Sequence, residues 1–127
     1  MRVYIDSDVL IWHLRGEKKA AALLRRLSTI DGADLWIGAM QRAEIVFFMR
    51  PNEETVTRSL LSRLKTQPVT QPIVDLAGTL YRRWHPSHGV DVNDTLLAAS
   101  ASTTSGRIVT LNLKHYPMPN LAVEKAW

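Results

Sequence analysis

The sequence predicts an α/β fold in which a mostly parallel sheet of four to five strands is flanked by helices. Three observations predict it. A short apolar run at Val3–Ile5 has the character of a buried strand and ends in Asp6. A similar run lies near the other end of the chain, over 107–111. Between the two, segments of strand and helix character alternate, which is typical of a parallel sheet.

The composition indicates one globular domain spanning residues 1–127. Hydrophobic residues make up 46% of the chain and charged residues 22%, and 127 residues are enough to bury a core. The absence of cysteine excludes disulfides, thiolate zinc sites and cysteine nucleophiles, and it fits a cytoplasmic protein. We expect neither a membrane span nor a signal peptide, because no apolar stretch has the required length or flanks.

A modest excess of basic residues favours an anionic partner such as RNA. The formal net charge is +4 and the isoelectric point is about 9.8. Basic side chains that contact phosphates would make binding fall steeply with salt, whereas most such residues simply line a solvated face. The candidates for phosphate contacts are Arg15, Lys18, Lys19, Arg42, Arg82, Arg83 and Lys114.

Hydrophobic periodicity predicts the remaining elements. On the third helix, Glu44, Phe47 and Phe48 share one apolar stripe, and on the fourth helix Val56 points inward. Pro86 is expected to end the fifth helix before it. The predicted helices run from Ser7 or Asp8 through His13 and over 17–28, 39–49, 52–65, 73–84 and 92–103. The predicted strands cover 3–5, 35–37, 107–111 and 121–124, and a connector at 67–72 has room for a short strand.

Three carboxylates depart from the expected polar pattern in the same way. Asp6 ends a buried strand, Glu44 lies in the apolar stripe of one helix, and Asp94 heads the apolar face of another. A buried carboxylate costs roughly several kcal/mol unless it is protonated, paired or bound to a cation. Three inward acids therefore predict a divalent cation, and an all-oxygen ligand set suits Mg²⁺ or Mn²⁺.

Each acid also has a purely structural alternative. Asp6 is placed to cap the helix that follows it. Glu44 has Arg42 and Arg50 nearby in sequence as ion-pair partners. Asp94 lies in the first turn of a helix, where the helix dipole favours a negative charge. The occurrence of all three together favours the metal site.

Four segments in order resemble the motifs of the PIN-domain nucleases, and most closely those of the VapC-type toxins of bacterial toxin–antitoxin pairs. Together they extend over nearly the whole chain. The segments are IDSDVLI at 5–11, AEI at 43–45, NDTLLAASA at 93–101 and IVTLNLKHYP at 108–117.

The resemblance implies an acidic pocket that binds Mg²⁺ or Mn²⁺ and cleaves RNA endonucleolytically. By motif, Asp6, Glu44 and Asp94 match the three core metal-binding acids. It also implies a cognate antitoxin protein, resembling VapB, whose tail covers the pocket, and a homodimer.

Further residues near these motifs are candidates for supporting roles or for a second metal. Thr110 matches a hydroxyl residue common in the family. Asn112 stands where many relatives have a fourth acid, and Asp8 stands where asparagine is more frequent. With Asn112 neutral, one or two cations remain possible, and Asp91 is a candidate to help hold the second. Asp8 and Asp91 have capping or solvated roles as their alternatives.

Two other functions compete with a ribonuclease. The opening segment Asp6–Val9 also looks like the nucleophile motif of haloacid dehalogenase-type phosphatases. That family needs a lysine and a pair of acids after its second motif, at the position of Thr110. Only seventeen residues follow Thr110 and Glu124 is their only acid, so the chain is too short to complete that site. The second alternative is a PIN-like fold that binds RNA or protein without cleaving it.

Overall fold

A computed structural model describes residues 1–127 of the protein and shows one five-stranded sheet between helices. All neighbouring strands are parallel and the order is β3-β2-β1-β4-β5. The α/β prediction is therefore confirmed, with a sheet that is parallel throughout. The strands are β1 (Arg2–Ile5), β2 (Asp34–Gly38), β3 (Lys65–Gln67), β4 (Arg107–Thr110) and β5 (Ala122–Lys125).

Six helices cover the two faces of this sheet, and the central strand is buried between them. The helices are α1 (Ser7–Leu14), α2 (Lys18–Ser28), α3 (Ala39–Val46), α4 (Glu54–Leu61), α5 (Gln71–His88) and α6 (Val92–Thr103). Val3 and Ile5 contribute to one hydrophobic cluster with α1, α2 and α4, whereas Tyr4 between them contributes to a second cluster with α6.

The end of α3 is shorter than the sequence predicted, and this exposes two aromatic side chains. The helix ends at Val46 instead of Met49, and Phe47 and Phe48 are 78% and 81% exposed. Their assignment to the buried stripe was wrong, as was the inward orientation of Val56, which is 64% exposed. Pro51 favours an extended conformation at Arg50 (φ −84°, ψ 158°), so the helix cannot continue through this segment.

Two other boundaries were also wrong. The helix predicted over 52–65 ends at Leu61, and its predicted last residue, Lys65, instead begins the strand β3. Helix α5 continues through Pro86 to His88, because a proline so close to the C-terminal end removes only one hydrogen bond before the helix stops. Gly89 then ends it with a φ of 63°.

The parallel order brings the carboxyl ends of β1 and β4 side by side. Tyr4 pairs with Ile108 and Ile5 with Val109, so the residues that follow the two strands meet at one edge of the sheet. In open α/β sheets this edge is where ligands bind. No helix of the chain combines the length and the apolar character that crossing a membrane requires.

Candidate active site

Asp6 lies at this edge and is held by three hydrogen-bond donors. Its Oδ1 accepts the backbone N–H of Ser7 at 2.8 Å, so Asp6 also caps α1. Its Oδ2 accepts the hydroxyls of Thr110 at 2.9 Å and Tyr116 at 2.8 Å. The residue is 8% exposed. The prediction that Ser7 or Asp8 caps this helix is wrong, because Asp6 is the N-cap of α1. The other carboxylate oxygen of Asp6 faces the interior of the protein.

Asp8, one residue beyond Ser7, ties α1 to the segment that follows β4. Its Oδ2 lies 3.1 Å from the backbone N–H of Leu111 and 3.1 Å from the amide Nδ2 of Asn112. Burial, and then the charge of Asp6, raises the pKa of Asp8, while the two backbone hydrogen bonds from Leu111 and Val9 lower it. The carboxylate of Asp8 thus accepts hydrogen bonds from protein donors and connects α1 with the segment after β4.

Glu44 reaches the same region from α3. Its Oε2 accepts the Ser7 hydroxyl at 2.8 Å and its Oε1 accepts the Asn93 amide at 3.2 Å. No arginine lies within ion-pair distance of it, so the alternative of a structural ion pair is not realised. Burial raises the pKa of Glu44 and the charge of Asp6 adds to the rise, although the hydrogen bond from Ser7 opposes it.

Asp94 enters from the first turn of α6. It forms a reciprocal capping box with Asp91, in which each side chain accepts the other residue's backbone N–H. Its Oδ2 lies 3.7 Å from Nδ1 of His115. Burial raises the pKa of Asp94 to about 7, and the charge of Asp91 contributes to the rise. Asp91 is exposed and acts as the helix cap.

The predicted residues therefore converge, but the carboxylates do not close around a single point. No three carboxylate or imidazole groups are arranged tightly enough to hold one ion in this conformation. The donor set nevertheless fits a hard divalent cation, because the converging groups are carboxylates and the negative charge of Asp6 raises the pKa of both Asp8 and Glu44. A cation would relieve this repulsion.

Three contributors to the site were missed at the level of sequence. Ser7 donates to two of the acids, Asn93 fixes Glu44, and Tyr116 donates to Asp6. Ser7 and Asn93 lie inside the recognised motifs, where their polar character beside an acid was the available signal. Tyr116 also lies inside a recognised motif, at 108–117, but it gave no such signal because its ring is typical of a core residue.

His85 and His88 lie three residues apart near the end of α5 but do not form a metal site. His85 stacks on Tyr81 and its Nδ1 lies 2.8 Å from the carbonyl oxygen of Val90. His88 contacts Ser87 instead, with 2.7 Å between the hydroxyl oxygen and Nδ1. Both imidazoles are therefore engaged in local helix-end contacts.

Comparison with known proteins identifies the family of this chain. The family model described as PIN domain matches residues 3–119. The chain belongs to the PIN-domain family. Among its PIN-domain relatives, Ribonuclease VapC10 of Mycobacterium tuberculosis is 37% identical over 117 residues, which are 91% of this chain and 86% of that protein. Ribonuclease VapC19 of the same organism is 34% identical over 115 residues, which are 90% and 91% of the two chains.

Solved structures agree with the PIN fold. A chain of VapBC2 from Rickettsia felis, bound to a promoter DNA fragment, superposes with a TM-score of 0.83 at 20% identity and covers 100% of this chain and 99% of that one. VapBC-1 from nontypeable Haemophilus influenzae gives a TM-score of 0.81 at 16% identity, with 99% and 98% covered. At these identities the likeness concerns the fold.

Proposed function

We propose that this chain is a divalent-metal-dependent endoribonuclease that hydrolyses RNA phosphodiester bonds and serves as the toxin of a toxin–antitoxin pair. The observation that carries the proposal is the convergence of Asp6, Glu44 and Asp94 at the carboxyl edge of the sheet. Ser7 connects the first two through its N–H and its hydroxyl. The relatives named as ribonucleases, which match over nine-tenths of the chain, support the same reaction. Its RNA substrate would be met in the cytoplasm.

Asp6, Glu44 and Asp94 are the residues that would hold Mg²⁺ or Mn²⁺. The bound cation supplies an activated water and offsets the charge that develops on the phosphate. The protein's own contribution is orientation, since Ser7 and Asn93 fix Glu44 while Thr110 and Tyr116 fix Asp6.

The supporting residues divide by the contacts they make. Asp8 and Asn112 bond to each other, so they hold the loop after β4 in place against α1. Asp91 holds the start of α6 and so the backbone of Asp94. His115, which is 40% exposed and faces Asp94, lies with Lys114 at the open side of the site, where a phosphate would enter.

An antitoxin partner is supported by a groove that Glu44 helps to line. The groove has a volume of about 580 Å³ and is lined by residues of α1, α3 and α4 and of the segment between α3 and α4, of which half are apolar. The exposed Phe48 and Val56 line it. We propose that an antitoxin segment with apolar side chains fills this groove, since a similar solved structure from Klebsiella pneumoniae is a toxin–antitoxin complex. Its apolar lining residues include Ile11, Leu14, Ile45, Phe48, Met49 and Val56.

Co-expression with a candidate antitoxin tests whether the groove binds it. Co-expression with the product of the adjacent small reading frame is expected to yield a complex that lacks ribonuclease activity. Phe48→Asp should weaken that complex. Val74→Asp, which changes an exposed apolar residue of α5 outside the groove, should leave it intact.

Light scattering on the purified chain tests the proposed homodimer, which should have twice the mass of 14.4 kDa.

The nuclease proposal is tested with purified protein and total cellular RNA in Mg²⁺, in Mn²⁺ and in EDTA. We expect discrete cuts that require metal and disappear in Asp6→Asn. Asp75→Asn is the matched control, since it removes the same charge from an exposed position of α5. Cleavage that persists in EDTA, or in Asp6→Asn, would refute the metal site. RNA binding without any cleavage would favour the non-cleaving module, and a phosphorylated Asp6 would favour the phosphatase.

A further inference from the structure

Tyr116 is a buried residue whose phenol points at the candidate metal site. It follows the short turn after β4 and is 5% exposed. Its ring packs in the hydrophobic cluster that contains Tyr4 and Leu97. Its hydroxyl donates to Oδ2 of Asp6 at 2.8 Å across 110 residues of sequence. This is a charge-assisted contact between a core side chain and a candidate metal ligand.

The Thr110 hydroxyl is the second donor to this oxygen, and it also has a carboxylate oxygen of Asp8 in reach. The hydroxyl of Thr110 carries one hydrogen and has two carboxylate oxygens in reach, Oδ2 of Asp6 at 2.9 Å and Oδ2 of Asp8 at 3.3 Å. The Tyr116 hydroxyl has the Asp6 oxygen as its single acceptor. Tyr116 is therefore the hydroxyl donor dedicated to Asp6.

The two oxygens of Asp6 differ as a result. Oδ2 accepts two side-chain hydroxyls from the interior of the protein. Oδ1 accepts one backbone N–H, from Ser7, and a carboxylate oxygen has two lone pairs. Oδ1 is thus the oxygen with capacity left for a cation, while binding through both oxygens would require one of the two hydroxyl hydrogen bonds to Oδ2 to break.

We propose that Tyr116 is a positioning residue that restricts Asp6 to one coordinating oxygen and so favours small octahedral cations over Ca²⁺. Ca²⁺ takes more oxygens and often binds a carboxylate through both of them, whereas Mg²⁺ and Mn²⁺ accept one oxygen from each. This inference rests on the proposed role of Asp6 as a metal ligand.

The phenol is suited to this role because the direction of its hydrogen bond is fixed. The Tyr116 hydroxyl carries the hydrogen, and the Asp6 carboxylate oxygen accepts it.

The test measures metal binding without RNA. Mn²⁺ is titrated into the full chain and followed by electron paramagnetic resonance, and Ca²⁺ is then added as a competitor. In Tyr116→Phe, which keeps the ring, we expect Mn²⁺ to bind roughly tenfold more weakly and Ca²⁺ to displace it at lower relative concentration. Tyr4→Phe is the control, because it removes another buried hydroxyl, bonded to Thr104 at 2.8 Å, away from the acids.

Each outcome separates this inference from the proposed function. If Tyr116→Phe matches Tyr4→Phe in Mn²⁺ affinity and in Ca²⁺ competition, Tyr116 has no positioning role. If the wild-type chain binds Ca²⁺ as tightly as Mn²⁺, the inference is overturned without reference to any variant's stability. If the wild-type chain and Asp6→Asn bind Mn²⁺ equally, the proposed metal site itself fails.

Discussion

The two sides of the candidate site hold their acids in different ways. On the strand side, Asp6 and Asp8 accept hydrogen bonds from β4 and from the segment after it, which includes Tyr116. On the helix side, Glu44 accepts two side-chain donors, and Asp94 accepts one backbone N–H beside the charge of Asp91.

This difference indicates that hydrogen bonds hold the strand-side acids in place, whereas the helix-side acids depend more on a bound cation. The strand side is organised by the protein before any ligand arrives, since long-range hydrogen bonds fix the carboxylates in place. Desolvation by burial and repulsion from neighbouring acids raise the pKa of Asp8 on the strand side and the pKa of Glu44 and Asp94 on the helix side. Three hydrogen bonds oppose the rise at Asp8, whereas two oppose it at Glu44 and one at Asp94. A cation would therefore stabilise the helix side most, because fewer protein donors offset the negative charge there.

The largest expected effect is on RNA cleavage, and it should be the same on both sides. Glu44→Gln and Asp94→Asn are each expected to reduce the rate by roughly 100-fold or more, as Asp6→Asn does, because each removes a charged candidate ligand. Single-turnover cleavage of a defined RNA would measure it. Near-normal cleavage by either helix-side variant would remove that residue from the proposed ligand set.

Asp8→Asn should separate the connecting acid from the candidate ligands. We expect less than roughly a tenfold loss of cleavage, together with a decrease of about 1–3 kcal/mol in the free energy of unfolding, because an amide cannot accept all the donors that surround Asp8. Urea denaturation and the same cleavage assay give both values. A loss of activity as complete as that of Asp6→Asn would place Asp8 among the metal ligands.

The stability of the metal-free protein should change in opposite directions on the two sides. Asp94→Asn removes a desolvated negative charge, and at pH 7.5 we expect it to raise the melting temperature in EDTA by about 2–4 °C. Asp6→Asn should lower it, because it weakens two charge-assisted hydrogen bonds. Differential scanning calorimetry compares the two, and a decrease for both variants would contradict the repulsion described for Asp94.

The pH dependence of stability follows from the same group. The pKa of Asp94 is about 7 in the folded chain and 3.8 in its ordinary state, so the folded chain retains a proton that the unfolded chain releases. Its contribution to stability is complete below about pH 4 and is lost as the pH rises towards 7. In EDTA, the free energy of unfolding should therefore fall further between pH 5 and 7.5 in the wild-type chain than in Asp94→Asn. We expect the two decreases to differ by at least roughly 1 kcal/mol. Parallel curves would contradict this.

The elements that carry the ligands could be predicted from sequence because local pattern determines them. The buried run before Asp6 and the apolar face behind Asp94 both gave the right element and the right edge of the sheet. The exposure of Phe47 could not be predicted, since periodicity does not show where a helix ends. The contact from Tyr116 to Asp6 spans 110 residues, and only the folded sheet brings these residues together.

The most direct test of the account is the melting temperature of the chain as Mn²⁺ is added, because a ligand that binds only the folded state raises it. At pH 7.5 we predict a rise that increases with Mn²⁺ concentration in the wild-type chain and in Asp75→Asn. The rise should be lost in both Asp6→Asn and Asp94→Asn, one from each side of the site. An equal rise in all four proteins would contradict a cation held between the strand-side and helix-side acids.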